Sequence, residues 1–310
     1  IEPNVGVVEV PDERLKVLAD ISKSVKIVPA TVEFVDIAGL VAGAATGAGL
    51  GNKFLTHIRE VDVILQVLRD FTDTEIVKEG SVDPKSDYEV IETELILKDL
   101  ETVAKVRESK DPRGVSSQEK KRVVIEKLWE GLNENKPARS ILAGEEFDLV
   151  KDLCLLTAKK ELKVFNVGED DPRLKQNSDD LVISAKIESE IASLSEEDAK
   201  MFMDELGIKE SGLNQLIKVA YKTLGLISFL TTGETESRAW TITRGTKAPQ
   251  AAGVIHTDFE KKFIKAKTCS YEEFVNLGGW KEAAEKGKVR MEGKEYEVRD
   301  GDVIEYMIGT

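Results

Sequence analysis

The sequence predicts an α/β fold: a parallel sheet, a helical hairpin inserted into it, and a small α+β tail. Three observations carry this. β-branched runs alternate with helical patterns on either side of a central segment, as parallel strands joined by crossover helices require. From Tyr88 the apolar residues recur at three- and four-residue steps. After Gly225 the runs become short and are divided by turn signals. With 310 residues, 41% of them hydrophobic, the chain can fill real cores, which excludes a disordered or low-complexity class.

Taken in order, Val5 to Val10 and Thr31 to Ile37 read as strands, with a helical turn from Asp12 to Ile21 started by Pro11 and Asp12. Gly39 to Gly51 (GLVAGAATGAGLG) is too rich in glycine for a helix or strand and reads as a loop. Asn52 to Glu60 looks helical and Val61 to Leu68 looks like a mostly buried strand. Two amphipathic helices follow, one on Val90, Ile91, Leu95, Leu97, Leu100, Val103 and Ala104, the other on Val123, Val124, Leu128, Trp129 and Leu132. The Asp-Pro-Arg-Gly at Asp111 to Gly114 breaks them into a hairpin. Phe147 to Leu156 is a further helix candidate, and Lys163 to Val167 and Leu181 to Ser184 are short strands. In the tail, Arg238 to Thr243, Lys288 to Met291, Lys294 to Val298 and Val303 to Tyr306 read as strands, with Phe259 to Ile264 and Tyr271 to Asn276 as helices. The expected division is 1-86 and 147-224 for the sheet domain, 87-146 for the hairpin and 225-310 for the tail.

Lys+Arg 44 against Asp+Glu 58 gives a net charge of −14, which argues against wholesale neutralisation of nucleic acid, DNA included, or of an anionic membrane and leaves room for a local basic face. Cys154 and Cys269 lie far apart without a CxxC or a His-rich companion, so a reducing compartment fits and neither a disulfide framework nor a zinc site is suggested. No apolar run approaches the roughly 20 residues of a membrane span. The expectation is a soluble protein.

Three short motifs follow predicted strands. Asp36-Ile37-Ala38-Gly39 places a carboxylate that can hold Mg²⁺ through water, and a glycine whose N–H can meet a terminal phosphate. Asn166-Val167-Gly168-Glu169 places an amide and a carboxylate where a purine edge can be read. Ser184-Ala185-Lys186 supplies small residues and backbone N–H groups to support the base. Each alone is more simply a strand-end turn. Their order, phosphate sensor, base reader and base support, is that of a GTPase-type nucleotide sheet.

With these motifs stand EPNVGVV, EFVDIAGLVAGA, GLGNKFL and AAGVIHTDFEKKFIKA. The chain resembles the YchF family of Obg-related, translation-factor-class nucleoside triphosphatases from Ile1 to about Tyr306. The resemblance implies a Ras-like P-loop nucleotide-binding domain, an inserted coiled-coil hairpin and a C-terminal β-grasp (TGS) domain. It implies Mg²⁺-dependent hydrolysis of ATP in preference to GTP, in the cytoplasm, by a monomer partnered with the ribosome or ribosomal RNA. The guanine-reading Asn-Lys-x-Asp is replaced here by Asn166, Val167, Gly168 and Glu169, and the longer carboxylate forfeits the guanine pairing. Leu40 stands where Ras-like GTPases place a water-orienting Gln, so hydrolysis should be slow or depend on another group. His57 and Lys78 are the nearest polar groups, and each reads more simply as a surface residue. The family's G-x-x-N-x-G-K-S loop precedes the residues that match Ile1 onward, and no stretch of this sequence supplies it. The expectation is that the chain starts in mid-structure and alone binds nucleotide poorly. In the tail Lys261, Lys262, Lys265 and Lys267 form a basic run, either a solvated face or an RNA contact. The alternatives are a strict GTPase of the Obg type and a non-enzymatic RNA- or protein-binding scaffold.

Overall fold

The computed structural model describes residues 4–37, 57–72, 82–108, 117–176 and 180–309. The chain forms two compact units, one of Ile1–Val5 with Val35–Leu216, the other of Gly6–Phe34 with Ile217–Thr310. Both are α/β. Gly6–Phe34, which the sequence reading groups with 1-86, therefore serves the unit that contains the tail. Among the described residues no helix is long and apolar enough to cross a membrane.

In the first unit β4 (Val63–Asp70), β5 (Lys160–Val167) and β6 (Leu181–Ile183) form a parallel sheet in the order β4-β5-β6. Register sets Asn166 beside both Arg69 and Ile183, and Asp70 beside Val167, so the carboxyl ends of the strands lie level. The hairpin is α2 (Pro84–Glu108) and α3 (Ser117–Asn133). Ile96, Val103, Val124, Ile125, Leu128 and Leu132 are buried in one shared cluster, as the helical spacing of those residues requires. Arg107 near the end of α2 bonds Glu126 of α3 at 2.9 Å and lies 4.9 Å from the Trp129 ring centre.

The expected helix from Phe147 to Leu156 is not formed. A single turn, α4 (Ala138–Ile141), leads on to a second, α5 (Glu146–Leu149), and a 3₁₀ turn (Lys151–Leu153) stops at Cys154, whose φ is 46°. The buried Asp99 carboxylate then accepts hydrogen bonds from the N–H of Leu156 and of Thr157, both 2.7 Å, and from the Thr157 hydroxyl at 2.6 Å. Donors that a helix would spend on its own carbonyls are spent on a side chain from α2.

Lower on β5 the hairpin base is held by charge. Arg139 of α4 bonds Glu92 of α2 at 2.5 Å and Glu161 of β5 at 2.6 Å, and reaches the Tyr88 hydroxyl at 3.2 Å. Gln66 of β4 donates to Glu161, and the Lys163 ammonium lies 3.5 Å from the Tyr88 ring centre. Burial first, then the Glu161 and Glu92 carboxylates, push the Tyr88 phenol up to about 12.

The second unit is a six-stranded sheet in the order β10-β9-β11-β7-β8-β2: β2 (Lys26–Val28), β7 (Leu226–Thr232), β8 (Glu236–Thr243), β9 (Phe263–Ser270), β10 (Arg290–Glu292) and β11 (Asp302–Ile308). β11 runs parallel to β7 at the centre, and β2 pairs in parallel with β8 at the edge. This is a β-grasp arrangement, hairpin and crossover strand, extended by a strand from early in the chain. Alternation along each strand fills two cores: Leu230 and Val303 face Leu15 and Leu18 of α1 (Arg14–Ser22), whereas Phe229 and Ile304 share a cluster with Ala248, Ala251 and Ala252 of α9 (Ala248–Ile255). Between β6 and β7 lie α6 (Ala185–Ser193), α7 (Glu196–Leu206) and α8 (Gly212–Thr223).

Two expectations for the tail fail. The helix expected over Phe259 to Ile264 ends early: α10 (Thr257–Lys261) gives way to β9, because Phe263 and Ala266 are drawn into the core beside Phe229. The strand expected over Lys294 to Val298 is a turn with one bridge, Lys247 to Glu297. There the buried Asp302 carboxylate accepts from the Tyr296 hydroxyl at 2.6 Å and from the Arg299 N–H at 2.9 Å, which curls the chain back on itself.

Candidate functional site

The carboxyl edge of the β4-β5-β6 sheet gathers the two segments expected from the sequence to meet a base. β5 ends at Val167, which is buried, and Asn166 immediately before it turns its amide toward the next loop. The Asn166 Oδ1 accepts the Ala185 N–H at 2.9 Å. Ala185 opens α6, and Ser184 before it is almost fully buried, its carbonyl accepting from Glu188 N–H at 2.9 Å. The Ser184 hydroxyl is buried and has no hydrogen-bond partner among the described residues. The Lys186 ammonium lies 2.5 Å from the Glu169 carboxylate. Asn166, Glu169, Ala185 and Lys186 are thus brought together, with Val167 and Ser184 behind them.

Residues that the sequence reading did not single out brace this edge. Asp171 accepts from the Arg173 N–H at 2.9 Å at the start of a 3₁₀ turn (Pro172–Lys175), and the Arg173 guanidinium bridges Asp171 at 2.7 Å and Asp70 at 2.8 Å. That hydrogen bond from Arg173 holds the Asp171 carboxyl below the usual carboxylate range. The Asp171-Pro172 pair was a readable signal, since a capping Asp before Pro marks the start of a turn of helix. Asp70 carried none, because its partner is remote in sequence. Glu188, whose carboxyl is pushed up by burial, accepts the Gly212 N–H at 2.8 Å and so ties α6 to α8.

Gly212 is there because nothing larger fits: a Cβ would lie 2.7 Å from Ile183 Cγ2 and 3.2 Å from the Val182 carbonyl. Gly212→Ala should therefore push β6 outward just before Ser184, at a cost of about 1–3 kcal/mol. The expected result is a lower melting temperature together with weaker nucleotide binding. A variant that melts like the parent would refute this packing argument.

The remaining sequence-derived residues fall elsewhere. Asp36 is the exposed last residue of β3 (Thr31–Asp36), which pairs with β1 (Asn4–Glu9), and Ile37 after it packs against Ile58, Leu95 and Leu156. Gly39, Leu40 and Lys78 lie outside the described residues. His57 is half-buried and its Nδ1 lies 3.8 Å from the Glu60 carboxylate one helical turn on. In the tail the basic run is divided. Lys261 and Lys262 are exposed beside the end of α10, whereas Lys265 and Lys267 lie on β9, and Lys267 is engaged by Glu305 at 2.8 Å and by the Trp280 ring at 4.3 Å. Among the described residues no cluster of three His, Cys, Asp or Glu side chains could hold a metal ion.

Comparisons with known proteins agree with this architecture. Residues 226–308 match the family model YchF-GTPase_C, described as a protein of unknown function (DUF933). The Ribosome-binding ATPase YchF of Bacillus subtilis (strain 168) is 50% identical, over 99% of this chain and 89% of that protein. The Ribosome-binding ATPase YchF of Escherichia coli O157:H7 is 45% identical, over 100% of this chain and 90% of its own length. Among solved structures, the Schizosaccharomyces pombe YchF GTPase superposes with a TM-score of 0.86 at 37% identity, covering 99% of this chain and 88% of that one. With identity of this order sustained along its whole length, and with the fold to match, the chain belongs to the YchF family.

Proposed function

We propose that the chain is that of a Mg²⁺-dependent nucleoside triphosphatase that prefers ATP to GTP and acts as a switch on the ribosome. The observation that carries this is the level edge of the β4-β5-β6 sheet, where Asn166 holds Ala185 and Glu169 faces Lys186. A base bound there meets the Asn166 amide, the Val167 backbone and Glu169 on one side, and Ser184 to Lys186 on the other. The bacterial relatives are called ribosome-binding ATPases and the yeast structure a GTPase, and the exchange of the guanine-reading Asp for Glu169 favours adenine.

In this reading Asp36 supports Mg²⁺ through a water molecule. Its carboxylate is a hard oxygen donor at the end of a strand, and it is exposed and unengaged by other side chains among the described residues, which fits such a role. Bound Mg²⁺ would neutralise charge building on the phosphates. Gly39 offers its N–H to the γ-phosphate. Leu40 leaves the attacking water without an amide to orient it, so turnover is slow and the order of the Gly39 to Gly51 loop becomes the signal. Residues 1–310 alone bind nucleotide weakly, since they contain no phosphate-cradling G-x-x-x-x-G-K-[ST] in strand-to-helix context. We assign the tail to the TGS class and the hairpin to the coiled-coil arm, with Lys261, Lys262 and Lys265 as the RNA-facing group of a cytoplasmic monomer, Lys267 being held instead by Glu305 and the Trp280 ring.

The test is calorimetric titration of the full-length protein with non-hydrolysable ATP and GTP analogues in Mg²⁺ buffer, followed by co-sedimentation of each complex with ribosomes. The expected result is micromolar binding of the ATP analogue, weaker binding of the GTP analogue, and nucleotide-dependent ribosome association. GTP binding at least tenfold tighter than ATP would make it a strict GTPase. Binding of neither would leave the scaffold reading.

A further inference from the structure

We propose that Lys186 determines base selectivity, by pairing with Glu169 so that the two side chains present one donor and one acceptor to an adenine edge. The inference rests on the base-recognition reading given above and adds to it a residue that sets the choice between purines. Lys186 was expected only to support the base from its loop.

The two segments are joined twice. Asn166 Oδ1 takes the Ala185 N–H at 2.9 Å, and one residue further along the second segment the Lys186 ammonium meets Glu169 Oε1 at 2.5 Å. Both partners stand on anchored backbone. Lys186 is in the first turn of α6, whose start is fixed by Asn166, and Glu169 is followed by the turn that Arg173 ties to Asp171 and Asp70. Anchoring lowers the entropy lost when two long side chains settle into one geometry, which is what normally makes surface ion pairs weak. The tips stay reachable, with side-chain exposures of 70% for Lys186 and 41% for Glu169.

The chemistry then separates the purines. An ammonium has three donors and no acceptor, and a carboxylate accepts only. Adenine shows a donor at its 6-amino group and an acceptor at N1, so Glu169 can accept from the first while Lys186 donates to the second. Guanine shows the opposite polarity at the same two positions, an acceptor at O6 and a donor at N1. The pair then sets oxygen against oxygen and N–H against N–H. Guanine recognition in the Asn-Lys-x-Asp manner instead needs both carboxylate oxygens, one for N1–H and one for the 2-amino group, and the Lys186 ammonium engages one of the two. A site built to satisfy one set of hydrogen bonds rejects the ligand that leaves its polar groups unpaired.

The experiment uses full-length protein and the non-hydrolysable analogues of ATP and GTP, titrated against the parent, Lys186→Met, Lys186→Arg and Asn166→Ala. Lys186→Met should lower the ATP:GTP affinity ratio roughly three- to tenfold, by weakening ATP and strengthening GTP, and Lys186→Arg should restore most of the preference. Because the pair is exposed, raising ionic strength should narrow the preference of the parent and leave that of Lys186→Met unmoved. The two analogues carry the same phosphate charge, so the ratio isolates the base. If Asn166→Ala weakens both nucleotides while Lys186→Met leaves the ratio within about twofold, the base site stands and the role given to Lys186 is wrong. If Asn166→Ala weakens neither, the base-recognition reading falls and this inference with it.

Discussion

Asn166→Ala is expected to weaken binding of an ATP analogue roughly 10- to 100-fold while leaving the melting temperature nearly unchanged. One side chain does two things at the end of β5: its Oδ1 holds the Ala185 N–H, and in the proposed function its amide also faces the base. Truncation removes both, a loss of about 1–3 kcal/mol when a polar partner is left without its mate in the complex. In the free protein the Ala185 N–H is near solvent, so water replaces the lost acceptor and the fold feels little. Asn166→Asp separates the two contributions, since a carboxylate still accepts from Ala185 and no longer donates to a base. Calorimetry beside thermal melting checks this. Equal losses of affinity and stability would show that Asn166 is only structural.

Arg139→Met is expected to cost about 3–5 kcal/mol of stability, the range for removing one partner of a buried ion pair. The guanidinium is the direct cation for Glu92 and Glu161, whose side chains are only 10% and 7% exposed. Without it two carboxylates share a poorly hydrated space. Methionine keeps much of the volume, so the loss reports charge rather than a cavity. Adding Glu92→Gln and Glu161→Gln to Arg139→Met should recover much of the loss, because neutral amides no longer need the cation. Urea denaturation of the three proteins measures this, and a loss below about 1 kcal/mol for the single variant would show that solvent already compensates the pair.

The placement of the candidate site was legible where it depends on strand ends. Val164 and Val167 mark β5 as a buried strand, and that places Asn166 and Glu169 where parallel sheets bind ligands. The hairpin was legible for a similar reason, since Val103, Val124 and Leu128 repeat at helical spacing. What stayed hidden depends on partners remote in sequence. Nothing near Leu155 announces that Asp99 will take the N–H groups of Leu156 and Thr157. Lys26 to Val28 is too short to read as a strand, and it becomes one by pairing with the edge of β8. Arg173, Asp70 and Arg139 look like surface charges until the fold supplies their counterions. Lys267 errs the other way: it read as part of a free basic run, and Glu305 and Trp280 hold it.

The division of the chain sets an order of events during biosynthesis. The second unit needs Gly6–Phe34 and Ile217–Thr310 together, and the residues between belong to the first unit. At the usual elongation rate of about 5–20 residues per second, the early segment waits roughly 10–55 s for the strands that will cover it. Through that interval Val10, Leu15, Leu18 and Val32, all buried in the finished core, have no native partners, while Val35–Leu216 is already at hand to collapse. A segment made before most of the first unit is thus completed only after it. A nascent chain of this kind depends on whatever shields these apolar residues until the later strands arrive.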